Sequence, residues 1–329
     1  FEAGIEGLRD RIVGLAGGGD EAATRFAEGF DALLHAHGCR GPNEWEMRSP
    51  TWETHPELAL AAIDRMRLSP ESAAPSGLQA ERSAEREALG DKLVAAMAAD
   101  PEAQGQVQAA LHSAVVFLAG RERSKTNAIR LTHESRMAMQ ELGRRMVKRG
   151  IFESEGEYGM LRGDELDAFL ADPAAMADEL HRREAGYAEL SKLEPPFVFE
   201  GDPPPMATWP QRDARPVAVA SVGDVLEGLP GCPGTARGIA RVITNSHEPG
   251  NLEPGDVLVA EITDPSWTPL FVPSAAVVVN VGAPLSHAII VSRELGIPCV
   301  VSVTDATRRI PDGALVEVNG DLGTVTVLE

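Results

Sequence analysis

Hydrophobic positions change their period near residue 218. Through about residue 193, apolar residues recur three and four apart, as in Phe26, Phe30, Leu33 and Leu34 and again in Leu111, Val115 and Leu118. That spacing predicts amphipathic helices. Pro50, Pro56, Pro70, Pro75 and Pro101 punctuate them. Residues 69–83, rich in Ser, Pro, Ala and Glu, read as an exposed connection, and 164–170 and 172–190 as two capped helices. From about 218 onward the pattern becomes short β-branched runs between Gly, Pro and Asp turns. Strands are predicted at 241–244, 257–262, 276–281, 300–303, 315–318 and 325–328. One helix-period segment interrupts them, with Ile289, Ile290 and Leu295, closed by Gly296 and Pro298. The expected fold is therefore a helical part, 1–193, followed by a small mixed α/β or β-rich part, 218–329.

Between the two parts lies a different pattern. Residues 194–217 hold Pro195, Pro196, Pro203, Pro204, Pro205, Pro210 and Pro216. Proline cannot continue a helix or sit in a central strand. The stretch reads as a semi-rigid linker and a domain boundary.

Composition narrows the classes of function. A length of 329 residues suits two domains, and 43% hydrophobic content gives both a core. The formal net charge of -20 argues against nucleic acid and anionic membrane as general partners, while leaving room for a local basic pocket. Cys39, Cys232 and Cys299 are odd in number and far apart. They read as reduced thiols of a cytoplasmic protein, with no cysteine or histidine cluster for a structural metal. No apolar stretch approaches the roughly 18 residues of a membrane span, and no signal peptide is visible. The chain opens on Phe1, so a fragment of a longer protein is expected.

Candidate chemistry concentrates in three places. First, the β run 275–281 hands over to a helix through Gly282, Pro284, Ser286 and His287. A helix N-terminus presents free N–H groups and the positive end of a dipole to an anion. Ser286 is a candidate cap. Neutral imidazole is a good nucleophile near neutral pH, so His287 suits phosphoryl relay; a structural histidine is the plain alternative. Second, a Gly/Pro break carries Arg40, Asn43, Glu44 and Trp45, with Trp52 close behind. It reads as a pocket loop or as a charged surface turn. Third, Arg121 and Lys125 are four apart on a predicted helix, with Glu122 between them. Two cations on one face suit a phosphate, or simply a solvated stripe.

The residues also carry a resemblance. The segments 231–238, 255–271 and 285–298, with Asp312-Gly313 and Asn319-Gly320, resemble the mobile phosphohistidine domain of PEP-utilising enzymes. The run 119–125, the helix beyond it, 161–170 and 193–196 are similar, more loosely, to the acceptor-binding domain of rifampicin phosphotransferases. The resemblance implies a helical acceptor-binding domain and a swivelling β/β/α phosphohistidine domain. It implies that His287 is phosphorylated and that Arg121, Glu122 and Lys125 surround the reacting groups. Arg40 and Glu44 fall on a second family motif as substrate-binding residues.

The implied reaction splits ATP to AMP and phosphate, with Mg2+, on an ATP-grasp nucleotide-binding domain or subunit that is not recognisable in this chain. The acceptor would be a small-molecule hydroxyl, in a rifamycin or in a phenol or alcohol. Two departures stand out: Gly282-Ala283-Pro284 replaces the family's frequent Gly-Gly, and Gly41-Pro42-Asn43 replaces the usual neighbours of the second motif. The second puts the antibiotic in doubt as substrate. A PEP synthase-like enzyme and a phosphocarrier module without acceptor chemistry stay open as alternatives.

Overall fold

A computed structural model describes residues 1–329 apart from Ala3, 68–74, Phe197, Asp213, Arg215 and 247–249, and apart from the side chains of Pro75, Ser76 and Leu78. The chain divides into two compact units. One comprises 1–44, 49–129 and 218–329; the other comprises 45–48 and 130–217.

The first unit begins with helices α1 (Leu8–Gly17), α2 (Glu21–His37), α3 (Pro56–Met66), α4 (Pro75–Ala96) and the 48-residue α5 (Pro101–Lys148), which runs on into the second unit. Pro56, Pro75 and Pro101 each open a helix, where a missing N–H costs nothing. Asp20 caps α2 by accepting from Ala23 N at 2.9 Å. The apolar stripe of α2 does what its spacing predicts: Phe30 and Leu34 are buried with Leu8, Ala59 and Leu60. The stripe on α5 does not, because Val115 and Leu118 stay exposed. The expected connection 69–83 is helical from Pro75 onward, in α4, and 69–74 lie outside the described residues.

The same unit contains an eight-stranded sheet. Its strands are β1 (Val225–Glu227), β2 (Leu229–Cys232), β3 (Thr235–Ile243), β4 (Val257–Ala260), β5 (Ala276–Val279), β6 (Cys299–Val301), β7 (Leu315–Asn319) and β8 (Thr324–Val327). Their order is β1-β8-β7-β3-β4-β5-β6-β2. The long β3 belongs to two ladders. Its first half pairs antiparallel with β7 and its second half parallel with β4. The burial patterns follow. All residues of the parallel β4 and β5 are buried, as a sheet covered on both faces requires. Strands β7 and β8 alternate, with one face outward.

Alternation on the central strands defines the layers. Val257, Val259, Ala276 and Val278 join a core with Val316, Val318 and Val325 of the outer ladder. Leu258, Ala260, Val277 and Val279 face helices α8 (Thr268–Phe271) and α9 (His287–Leu295), meeting Leu270, Phe271 and Ile289. The result is a β/β/α arrangement, with α10 (Ala306–Arg309) following β6. Each large side chain buried there contributes about 1.5–3 kcal/mol. Helix α3 packs against α8, and α4 against α9. Strands β1 and β2 have no alternating pattern in the sequence. They exist because Val225–Glu227 pairs with β8, and Leu229 and Pro230 pair with β6 at the sheet edge.

The second unit is helical. The end of α5, α6 (Leu166–Ala171) and α7 (Ala177–Leu190) surround Met146, Phe152, Tyr158, Phe169 and Leu180. Segment 45–48 is anchored here: Arg136 donates to Glu46 O at 2.9 Å, Tyr158 to Met47 O at 2.8 Å, and Arg48 forks onto Glu184 at 2.7 and 3.1 Å. The proline-rich stretch folds back on itself. Glu194 N donates to Pro210 O at 2.9 Å and Arg212 N to Lys192 O at 2.7 Å, closing a loop at its base. Trp209 Nε1 donates to Pro204 O at 3.0 Å across it. No helix of the described residues is long and apolar enough to cross a membrane.

Candidate functional site

Helix α9 starts at His287 because the chain before it is forced into a tight path. A Cβ on Gly282 would sit 2.6 Å from Val301 Cβ of β6. Ser302 Oγ donates to the Gly282 carbonyl at 2.6 Å, fixing the same turn. Ser286 occupies the N-cap position with extended backbone, but its side chain makes no capping bond. Its Oγ is buried without a hydrogen-bond partner among the described residues, which leaves a donor beside His287. Gly296 ends the helix at φ 70°.

The His287 ring lies between two threonines. Nδ1 is 3.0 Å from Thr263 Oγ1, and Nε2 is 3.3 Å from Thr268 Oγ1. Phe271 meets the ring edge-on at 5.7 Å between centroids. Burial pushes the imidazole down to about 4; Asp264 pulls it up, while Lys125 and Arg40 push it further down. At neutral pH the ring is therefore uncharged, with one nitrogen lone pair available.

Asp264 belongs to a stop-and-turn signature, Asp-Pro-Ser. Its carboxylate accepts from Ser266 N at 2.8 Å and Ser266 Oγ at 2.6 Å, and from Asn43 N at 3.2 Å. Asn43 reaches it with φ 46°, a conformation asparagine tolerates. The loop that carries Asn43 is tightly wound. A Cβ on Gly41 would collide with the Pro50 carbonyl, while Trp52 N donates to Arg40 O at 2.8 Å.

That loop also delivers Arg40 and Glu44. Glu44 is almost wholly buried, and its two oxygens face Arg40 Nε at 3.1 Å and Lys125 Nζ at 3.4 Å. Burial raises its pKa, opposed by Arg40 and Lys125. Beside this cluster is a cavity of about 430 Å³, lined among others by Leu33, Cys39, Arg40, Trp52, Thr126 and Thr268. Thr268 thus touches both the cavity and the histidine.

Of the residues singled out from the sequence, Arg40, Glu44, Lys125 and His287 come together. Arg121 and Glu122 lie on the surface of α5, 2.7 Å from each other. Glu122 also acts on Glu294 of α9, whose pKa is raised by burial and then by that neighbouring charge. Thr263, Asp264 and Thr268 stand with Arg40, Glu44, Lys125 and His287, although no motif in the sequence gives these three a role. The signal present was Asp264-Pro265-Ser266, an N-cap followed by proline, which marks a rigid turn in front of the buried Trp267.

Residues 252–323 match the family described as PEP-utilising enzyme, mobile domain. Residues 3–122 match the rifampicin phosphotransferase fourth domain. An uncharacterised protein of Mycobacterium tuberculosis is 34% identical over 308 residues, covering 93% of this chain and 32% of the relative. A rifampicin phosphotransferase of Streptomyces sviceus is 30% identical over 335 residues, covering 100% of this chain and 37% of the relative. The prodigiosin synthesizing transferase PigC of Serratia marcescens is 31% identical over 314 residues, covering 93% and 34%. These matches make the chain similar to rifampicin phosphotransferases and, over residues 252–323, to the mobile domain of PEP-utilising enzymes. The chain spans about a third of the length of these relatives.

Proposed function

We propose that this chain is the acceptor and phosphohistidine portion of a phosphotransferase, in which His287 relays a phosphoryl group to a hydroxyl of a small organic molecule. The observation that carries this reading is Thr268, which stands 3.3 Å from His287 Nε2 and also lines the 430 Å³ cavity. In this reading residues 218–329 form the carrier, 1–193 the acceptor-binding part and 194–217 the tether. An ATP-grasp domain or subunit beyond these residues, with ATP and Mg2+, would supply the phosphoryl group.

Nδ1–H donates to Thr263 Oγ1, so Nε2 keeps the lone pair and forms the P–N bond. In transfer, the acceptor oxygen forms the O–P bond as the Nε2–P bond breaks, and its electron pair returns to Nε2. The ring leaves neutral, still protonated at Nδ1. Ser286 Oγ and the first N–H groups of α9 meet the phosphoryl oxygens. Lys125 and Arg40, already at the site, neutralise the charge in flight, which is the main demand of phosphoryl transfer. Arg121, one turn earlier on α5, adds a guanidinium when it leaves Glu122. Glu122 takes the acceptor's proton.

The test uses the full-length protein and ATP labelled at the transferable phosphoryl group. His287→Ala is expected to abolish labelling of the protein. Lys125→Ala is expected to keep labelling and to lower transfer to acceptor by about 100-fold, the scale of one lost transition-state charge contact. Labelling of His287→Ala would refute the relay. Unimpaired transfer by Lys125→Ala would leave a carrier module whose acceptor chemistry lies elsewhere.

A further inference from the structure

The cavity beside Thr268 restricts what can accept the phosphoryl group. Its volume of about 430 Å³ is that of about 14 liquid waters at ~30 Å³ each. One or two fused rings fill that volume. The walls are mostly apolar, with Leu33, Cys39 and Pro265 beside the indole of Trp52. Such a slot favours a flat aromatic body. The polar lining comes from His37, Arg40, Thr126 and Thr268, the last next to His287.

The charges near the ring already balance. Arg40 and Lys125 both bind Glu44, and Asp264 is a second carboxylate acting on the same two neighbourhoods. A phosphoryl group on His287 would draw on both cations. An acceptor with its own negative charge would then meet Glu44, Asp264 and the phosphoryl group where Arg40 and Lys125 are already engaged.

We infer that the acceptor is an uncharged phenol or aryl alcohol of one or two rings, seated against Trp52 with its hydroxyl toward Thr268 and His287. This rests on the phosphohistidine reading above. Its test is chosen so that the two can fail separately. Full-length protein is first labelled with ATP and then offered phenol, 2-naphthol, 4-hydroxybenzoate, pyruvate and rifampicin, with phosphorylated product detected by mass spectrometry. Phenol and 2-naphthol are expected to exceed 4-hydroxybenzoate by at least ~10-fold in kcat/KM, and rifampicin and pyruvate to give no product.

Ala36 is exposed on the cavity wall, so a larger residue there narrows the slot without disturbing a core. Ala36→Trp should lower turnover of 2-naphthol ~10-fold more than that of phenol. Binding of 2-naphthol, read by calorimetry, should weaken in parallel. Labelled protein that prefers 4-hydroxybenzoate, pyruvate or rifampicin, or transfers to neither neutral phenol, overturns the acceptor class while leaving the relay standing. Equal losses for both phenols in Ala36→Trp also overturn it. Protein that is never labelled at His287 overturns the relay, and this inference with it.

Discussion

Burial governs His287 before any chemistry does. Its ring is pushed down to about 4, mainly because Phe271 and the surrounding core exclude water from it. An unfolded histidine titrates near ~6.5. Between those two values the unfolded chain holds a proton that the folded chain refuses. The stability associated with the neutral ring is therefore complete above ~6.5 and is lost as pH falls toward ~4. Thermal melting of wild type and His287→Ala across that range provides the check. Wild type should lose more of its midpoint than the variant between roughly pH 7 and pH 4.5. Equal losses would mean that the ring is not held neutral. Glu44 shows the complementary case: a buried carboxylate that is tolerable because Arg40 and Lys125 both reach it.

At the scale of elements, the site depends on the close approach of the 282–286 turn to β6. Gly282 leaves no room for a methyl group against Val301, which is fully buried. Gly282→Ala must therefore displace either β6 or the turn that presents His287. The expected cost is about 1–3 kcal/mol, read from urea denaturation. ATP labelling of His287 should fall as well, since the turn sets the start of α9. An unchanged urea midpoint would show that the turn has slack.

Across the whole molecule, the cores indicate what can stand alone. Among the described residues, both cores of the β/β/α part are built from those between Ala220 and Val327. A fragment of residues 218–329 should therefore fold by itself, with one cooperative melting transition and the strand content of the intact chain by circular dichroism. It loses the contacts of α8 and α9 with α3 and α4, so its midpoint should lie below that of the intact chain. A fragment without a cooperative transition would show that the helices complete the fold.

Much of this architecture was legible locally. Continuous β-branched runs at 257–260 and 276–279 read as strands because both their faces are covered. The head of α9 was legible because Gly282, Pro284 and Gly296 punctuate it within fifteen residues. Periodicity states which face of an element is apolar, not which partner will cover it. That is why Phe30 and Leu34 found a core while Val115 and Leu118, spaced in the same way, did not. It is also why no local pattern marks β1 and β2: edge pairing with β8 and β6 makes them strands, despite Pro230.

The site followed the same division. The residue types at 40, 44, 125 and 287 could be chosen from motif and resemblance. The closing of Arg40 and Lys125 on the buried Glu44, near His287, and the grip of Thr263 and Thr268 on the ring, arise only when distant segments close on each other. The sequence by itself determined the central strands, the head of α9 and the residue types at the site. The tertiary structure alone decided which charges neutralise each other, because ion pairing depends on distance and burial, and neither is encoded in local spacing.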